Sequence, residues 1–218
     1  MKRRTLLMAA ASTSLLSGCL YDRWFDLEWD EEVQLHDGRV IVVHLKHTYE
    51  RLHQGFKRFS GTIMSRDTTL TFDAGGETGK VTQLFKGFDP LFIGQDQGTW
   101  YAVIYGNYYY KSRELPGQDW GELEGPYDQW AVKLAGKNFV PISMLELPAS
   151  FQEPNMLLLY GRAEEHAQFS NKTVTLADKA AWKTLHPPGY ADVRITRPKS
   201  SKRFPANATP TPAQGNSK

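Results

Sequence analysis

Glu31-Glu32-Val33-Gln34-Leu35-His36-Asp37-Gly38-Arg39-Val40-Ile41-Val42-Val43-His44-Leu45 is the stretch on which the fold turns. Two runs rich in β-branched and aliphatic residues flank Asp37-Gly38. That dipeptide tolerates the positive φ of a tight hairpin turn, so the stretch predicts two antiparallel strands. A two-residue Asp37-Gly38 loop sets His36 opposite Arg39 and Leu35 opposite Val40. Val33, Leu35, Val40 and Val42 then share one face, and Ile41, Val43 and Leu45 the other. A second strand apolar on both faces belongs inside a sandwich or a closed sheet.

The same style continues along the chain. Thr68-Thr69-Leu70-Thr71-Phe72 alternates and stops at Ala74-Gly75-Gly76. Leu91-Phe92-Ile93 and Trp100-Tyr101-Ala102-Val103-Ile104-Tyr105 flank a turn at Asp96-Gln97-Gly98. Trp130-Ala131-Val132-Lys133-Leu134 and Met156-Leu157-Leu158-Leu159-Tyr160 are further short strands. Short strands with Gly, Pro and Asp punctuation predict a mainly β domain, an antiparallel sandwich or barrel-like fold. One short C-terminal helix is expected over 176–185, capped by Thr175, with Asp178 in its first turn and Pro187-Pro188 beyond it. Leu176, Ala180 and Trp182 or Lys183 are expected to face the sheet.

The ends read differently. Met1-Lys2-Arg3-Arg4 is followed by a mildly apolar stretch to Leu16. At about a dozen residues it is too short for a hydrocarbon core that takes about 20 residues of helix. A basic start, a short apolar core and small residues at its end describe a signal peptide. The stretch closes on Leu16-Ser17-Gly18-Cys19, which resembles the lipobox of bacterial lipoproteins. The resemblance covers the first 19 residues. It implies cleavage between Gly18 and Cys19 and acylation of the Cys19 thiol. Lys2-Arg3-Arg4-Thr5-Leu6-Leu7 also resembles a twin-arginine export signal. Leu20, in place of an aspartate after the cysteine, implies by the same resemblance an outer-membrane address in a Gram-negative host, with the mature body facing the periplasm. The run Trp29-Asp30-Glu31-Glu32-Val33 with Asp37-Gly38-Arg39 is similar to small bacterial envelope proteins, which adds no function.

The organisation expected is therefore a leader at 1–18, a lipid-anchored spacer at 19–30, one β domain at 31–196 and a disordered basic, Pro-rich tail at 197–218. That tail lacks the apolar surface to offset its ordering entropy. Of 26 Lys and Arg, three leave with the leader, so the mature chain carries 23 against 24 acids. Five more lie from Arg197 onward, which leaves 18 basic and 24 acidic residues, net −6, between 19 and 196. An acidic body argues against nucleic acid as a partner. Cys19 is the only cysteine, so no internal disulfide is possible and burial must stabilise the fold.

No catalytic or cofactor motif appears: there is no nucleophile elbow, phosphate loop or zinc-protease signature. His36, His44, His47 and His53 suggest a metal, but His44 and His47 fall on opposite faces of a strand, and no metal is assigned. His44 is expected opposite Glu31. The segment holding Trp100, Tyr101, Tyr105, Tyr108, Tyr110, Trp120 and Trp130, interleaved with Glu114, Asp119, Glu122, Glu124 and Asp128, fits three roles. These aromatics fill the core, meet a partner protein, or stack on sugars beside the carboxylates as a glycan-binding module or weak glycosidase. The favoured expectation is a lipid-anchored envelope protein with a binding or structural role through protein contacts. Its partners are the membrane through Cys19, and envelope proteins or glycan.

Overall fold

The turn after Leu35 is one residue longer than expected. In the computed structural model, Gly38 N–H donates to Leu35 O at 3.0 Å and Leu35 N–H to Arg39 O at 2.7 Å. The loop is His36-Asp37-Gly38, with only Gly38 in the left-handed region (φ 87°). Three-residue hairpins place glycine there for want of a Cβ clash. Strand β1 (Trp24–Gln34) therefore pairs with β2 (Val40–Leu52) as Gln34↔Val40, Val33↔Ile41 and Trp29↔Leu45. A one-residue slip exchanges the faces. Val40 and Val42 point outward, 49% and 56% exposed, while Val43 and Leu45 join Val33 and Leu35 in the core. His44 faces Asp30, not Glu31.

Described are residues 22–52, 62–106, 129–157, 163–185 and 193–197. Strand β1 begins at Trp24, so most of the expected spacer at 19–30 belongs to the sheet. Its apolar residues explain this: Trp29 is buried and Phe25 and Leu27 are half-buried. Strand β3 (Thr62–Asp73) pairs with β2, and β4 (Lys80–Lys86) with β3. Val81, Gln83 and Phe85 alternate inward along β4, a strand additional to those expected from the sequence. A second sheet follows in simple antiparallel order: β5 (Phe88–Asp96), β6 (Thr99–Gly106), β7 (Gln129–Ala135) and β8 (Asn138–Ile142). Between the sheets the chain turns at Gly87 (φ 72°), whose N–H donates to Arg66 O at 2.7 Å.

A short helix α1 (Ala163–Ala167) then leads to β9 (Thr173–Val174), which adds in parallel to β1 and completes the first sheet as β4-β3-β2-β1-β9. Helix α2 (Leu176–Leu185) has the expected bounds and cap. Thr175 N–H donates to Asp178 Oδ2 at 2.9 Å, and Asp178 N–H to Thr175 Oγ1 at 3.1 Å. The inward face matches expectation in part: Leu176 and Trp182 are half-buried. Lys179 reaches into the protein and Trp182 packs edge-on against Phe169 at 5.4 Å, while Ala180 and Lys183 are exposed.

The domain is thus the mainly β, antiparallel sandwich expected. The two sheets meet over a core in which Trp29, Phe72 and Phe85 face Phe88, Trp100 and Trp130. Burying each such ring stabilises the fold by about 2 kcal/mol or more. The outer face of the second sheet is covered as well. Leu91, Phe92, Val103 and Ala131 lie under Met144, Leu147, Phe151 and Ile195. Met156 and Leu157, expected in a strand, are irregular chain packed on the core, and 158–160 lie outside the described residues. Asn155 ties this segment to both sheets. Its amide donates to Gln34 O at 3.0 Å and Ile93 O at 2.7 Å, and accepts from Ile93 N–H at 3.0 Å. Arg197, expected to open the tail, donates to the carbonyls of Leu147, Pro148 and Phe151 at 3.1, 2.5 and 3.0 Å. Residues 198–218 lie outside the described residues.

The register makes a sharp forecast. Val42→Lys leaves stability within about 0.5 kcal/mol, as surface changes do, whereas Val43→Lys puts an unpaired charge in the core and costs about 4 kcal/mol or more. Urea denaturation of the two variants checks it; equal effects would mean that the faces are assigned wrongly.

Candidate functional site

The aromatic segment divides between core and flank. Trp100 is 5% exposed and Trp130 1%. Trp100 Nε1 donates to Ala74 O at 3.0 Å, and its ring stands 4.9 Å from Phe72. The Trp130 ring meets Phe88 edge-on at 4.8 Å. Both lie at inward positions of β6 and β7, so neither can present a face to sugar or protein. Tyr101 and Tyr105 lie on the opposite face of β6 and are half-buried against the second cluster. Tyr101 approaches the Phe151 edge at 5.8 Å. Tyr108, Tyr110 and Trp120 lie outside the described residues, as do Gly18, Cys19 and the acids between 114 and 128. Of the expected binding face, Trp100 and Trp130 are therefore core residues.

The histidines separate as their alternation predicts. His44 points outward, its Nδ1 2.9 Å from Asp30 Oδ1 and its Nε2 3.7 Å from Glu28 Oε2. His47 points inward. His36 rests its ring on Phe151 at 5.0 Å, and His53 is outside the described residues. Among the described residues, no three His, Cys, Asp or Glu side chains form a group that could hold a metal ion.

Two polar assemblies inside the sandwich were not anticipated. In the first, His47 stacks on Trp29 at 4.8 Å with the rings 13° apart. His166 of α1 closes over them, 4.7 Å from His47, 5.1 Å from Trp29 and 5.4 Å from Tyr49. Thr68 donates its hydroxyl to Asp89 Oδ1 at 2.5 Å, and His47 Nδ1 lies 3.2 Å from that hydroxyl and 3.3 Å from Asp89 Oδ1. Four strands and a helix contribute to this cluster, and every polar member of it is buried. Such a network holds elements together but offers no reacting atom to a substrate from solution.

The second assembly surrounds Glu31, which is fully buried. Lys179 Nζ approaches Glu31 Oε1 at 3.1 Å and donates to Asn155 O at 2.6 Å. Leu157 N–H donates to Glu31 Oε1 at 2.7 Å. Trp29 Nε1 donates to Oε2 at 3.4 Å. Burial pushes the Glu31 carboxyl above the ordinary 4.5, and Lys179 and the Leu157 amide oppose that only in part. A signal for both assemblies was present in the pattern. Glu31 falls between Trp29 and Val33, and His47 between Leu45 and Tyr49, on the inward faces of β1 and β2. A charged or titratable residue at an inward position announces a buried partner.

A third group lies at the end of the first sheet where β1 begins. Glu50 is buried between Arg23 and Arg66, whose Nε atoms each donate at 2.6 Å to a different carboxylate oxygen. Burial pulls its carboxyl up, but the two guanidiniums outweigh burial and hold it below the usual range. Arg51 stacks its guanidinium 3.9 Å over Phe25 and donates to Asp22 O at 2.6 Å. Trp24, beside Arg23, is 44% exposed.

Lys179→Met leaves the Glu31 carboxylate buried without its cation and costs about 3 kcal/mol at neutral pH; Glu31→Gln in the same chain restores part of the loss. A carboxyl raised in the folded state is still protonated there when the unfolded chain has released its proton. Stability of the native sequence relative to Glu31→Gln therefore falls as pH rises from 4.5 through the folded value. Urea midpoints at a series of pH values read both effects. A pH-independent difference would show that Glu31 titrates alike in both states.

No family model, curated protein or solved structure matches this chain.

Proposed function

We propose that the chain is a lipid-anchored envelope protein that serves a binding or structural role through protein contacts. The observation that carries this reading is the lipobox-like Leu16-Ser17-Gly18-Cys19, set behind Met1-Lys2-Arg3-Arg4 and a short apolar stretch. Diacylglycerol on Cys19 and a third acyl chain on its amino group hold a protein firmly, since each buried CH₂ contributes about 0.8 kcal/mol. The address is the periplasmic side of the outer membrane, on the identity of Leu20.

A contact role is supported by the two sheets' different outer faces. Met144, Leu147, Phe151 and Ile195 cover the second sheet. The first sheet presents Val40 and Val42 outward next to Glu32 and Gln34, their partners on β1. An apolar pair rimmed by polar groups suits a protein partner better than water. With Trp100 and Trp130 in the core, a glycan-stacking face loses two of its aromatic rings.

Expression of the full chain in a Gram-negative host tests the anchor. Mass spectrometry is expected to find a mature protein beginning at acylated Cys19, and Cys19→Ala to leave the leader uncleaved and unacylated. An unmodified thiol at Cys19 would refute the reading. Crosslinking in intact cells then tests the contact: the acylated protein is expected to yield a discrete adduct that Val42→Lys weakens severalfold.

A further inference from the structure

The beginning of β1 combines features that a membrane surface would use. Trp24 is 44% exposed. The Arg23 side chain is 67% exposed, with its guanidinium 5.6 Å from the Trp24 ring. Arg51, paired beside it through its N–H on Arg23 O at 2.8 Å, covers Phe25. Arg66 joins Arg23 on Glu50. Three guanidiniums thus stand with two acids, Glu50 and Asp22, while Asp26 and Asp67 nearby are matched by Lys46, at 2.7 Å, and Lys86. This end is net positive on a body whose span 19–196 carries −6. Aromatic rings flanked by arginines are the composition of the membrane–water interface. Tryptophan settles at headgroup depth, and Arg is drawn to anionic lipid.

Covalent reach brings the two together. Trp24 follows Cys19 by five residues, a span of at most about 18 Å of extended chain. We propose that this end of the first sheet rests on anionic phospholipid headgroups, with Trp24 at the interface and Arg23 and Arg51 against phosphate. The inference depends on acylation of Cys19 and adds an orientation to it. Strands β1 and β2 rise from the membrane, and the hairpin at His36-Asp37-Gly38 becomes the far end of the domain.

The acylated full chain, reconstituted into vesicles of phosphatidylcholine alone or with phosphatidylglycerol, tests this with brominated acyl chains as quenchers. The native protein is expected to show tryptophan quenching about twofold stronger in the anionic vesicles. Trp24→Phe, which keeps an interfacial ring but removes the fluorophore, is expected to lose most of that quenching with an unchanged circular dichroism spectrum. Quenching that survives Trp24→Phe, or that ignores lipid charge, overturns the proposal. Mass spectrometry of the same sample separates the two levels. Acylated Cys19 without Trp24 quenching overturns the headgroup contact alone; unmodified Cys19 overturns the anchor and the contact together.

Discussion

Two hydrogen bonds across His36-Asp37-Gly38 set the pairing of β1 with β2, and the interior of the first sheet depends on that pairing. Once Val33 lies opposite Ile41, Trp29, Glu31, Leu45 and His47 are all turned inward. The alternative register would bury Val40 and Val42 and expel Val43 and Leu45. It would also carry His47 to the surface, away from Asp89 and Thr68. A turn of three residues thus decides which polar groups the core has to satisfy.

Satisfying them shapes the rest of the chain. A carboxylate buried at Glu31 demands donors, and they come from Leu157, Trp29 and Lys179, in parts of the sequence far apart. His47 takes its neighbours from β3, β5 and α1. The late segments that cover the second sheet are held by comparable means, the Asn155 amide and the Arg197 guanidinium. Apolar burial supplies the driving force, while these directed contacts determine how the irregular segments seat on the two sheets.

What the sequence made legible was local. Asp37-Gly38 announced a hairpin, Asp96-Gln97-Gly98 another, and Thr175 with Asp178 a helix start, because each acts within a few residues. The length of the first turn was not legible. Asp-Gly serves two-residue and three-residue loops alike, and which residues take positive φ is settled by the strands' packing. Strand β4 was obscured by Gln83, a polar residue at an inward position whose Oε1 accepts Phe139 N–H from the other sheet at 3.0 Å. Strand β9 is two residues long and is defined by its neighbour. Trp100 and Trp130 do not differ in residue type from the aromatics around them, and only their alternation within β6 and β7 places them inside. Lys179 reads as an ordinary surface lysine of α2 until Glu31 is known to lie beneath it.

The Glu31–Lys179 contact spans 148 positions of sequence, and that separation has a kinetic meaning. Until Lys179 arrives, closing the first sheet buries the Glu31 carboxyl without its cation. Contacts so distant in sequence are paid for in loop-closure entropy before they yield stability, which delays folding. The cation that neutralises the buried carboxyl therefore joins it only after about four fifths of the chain, through Lys179, has been made.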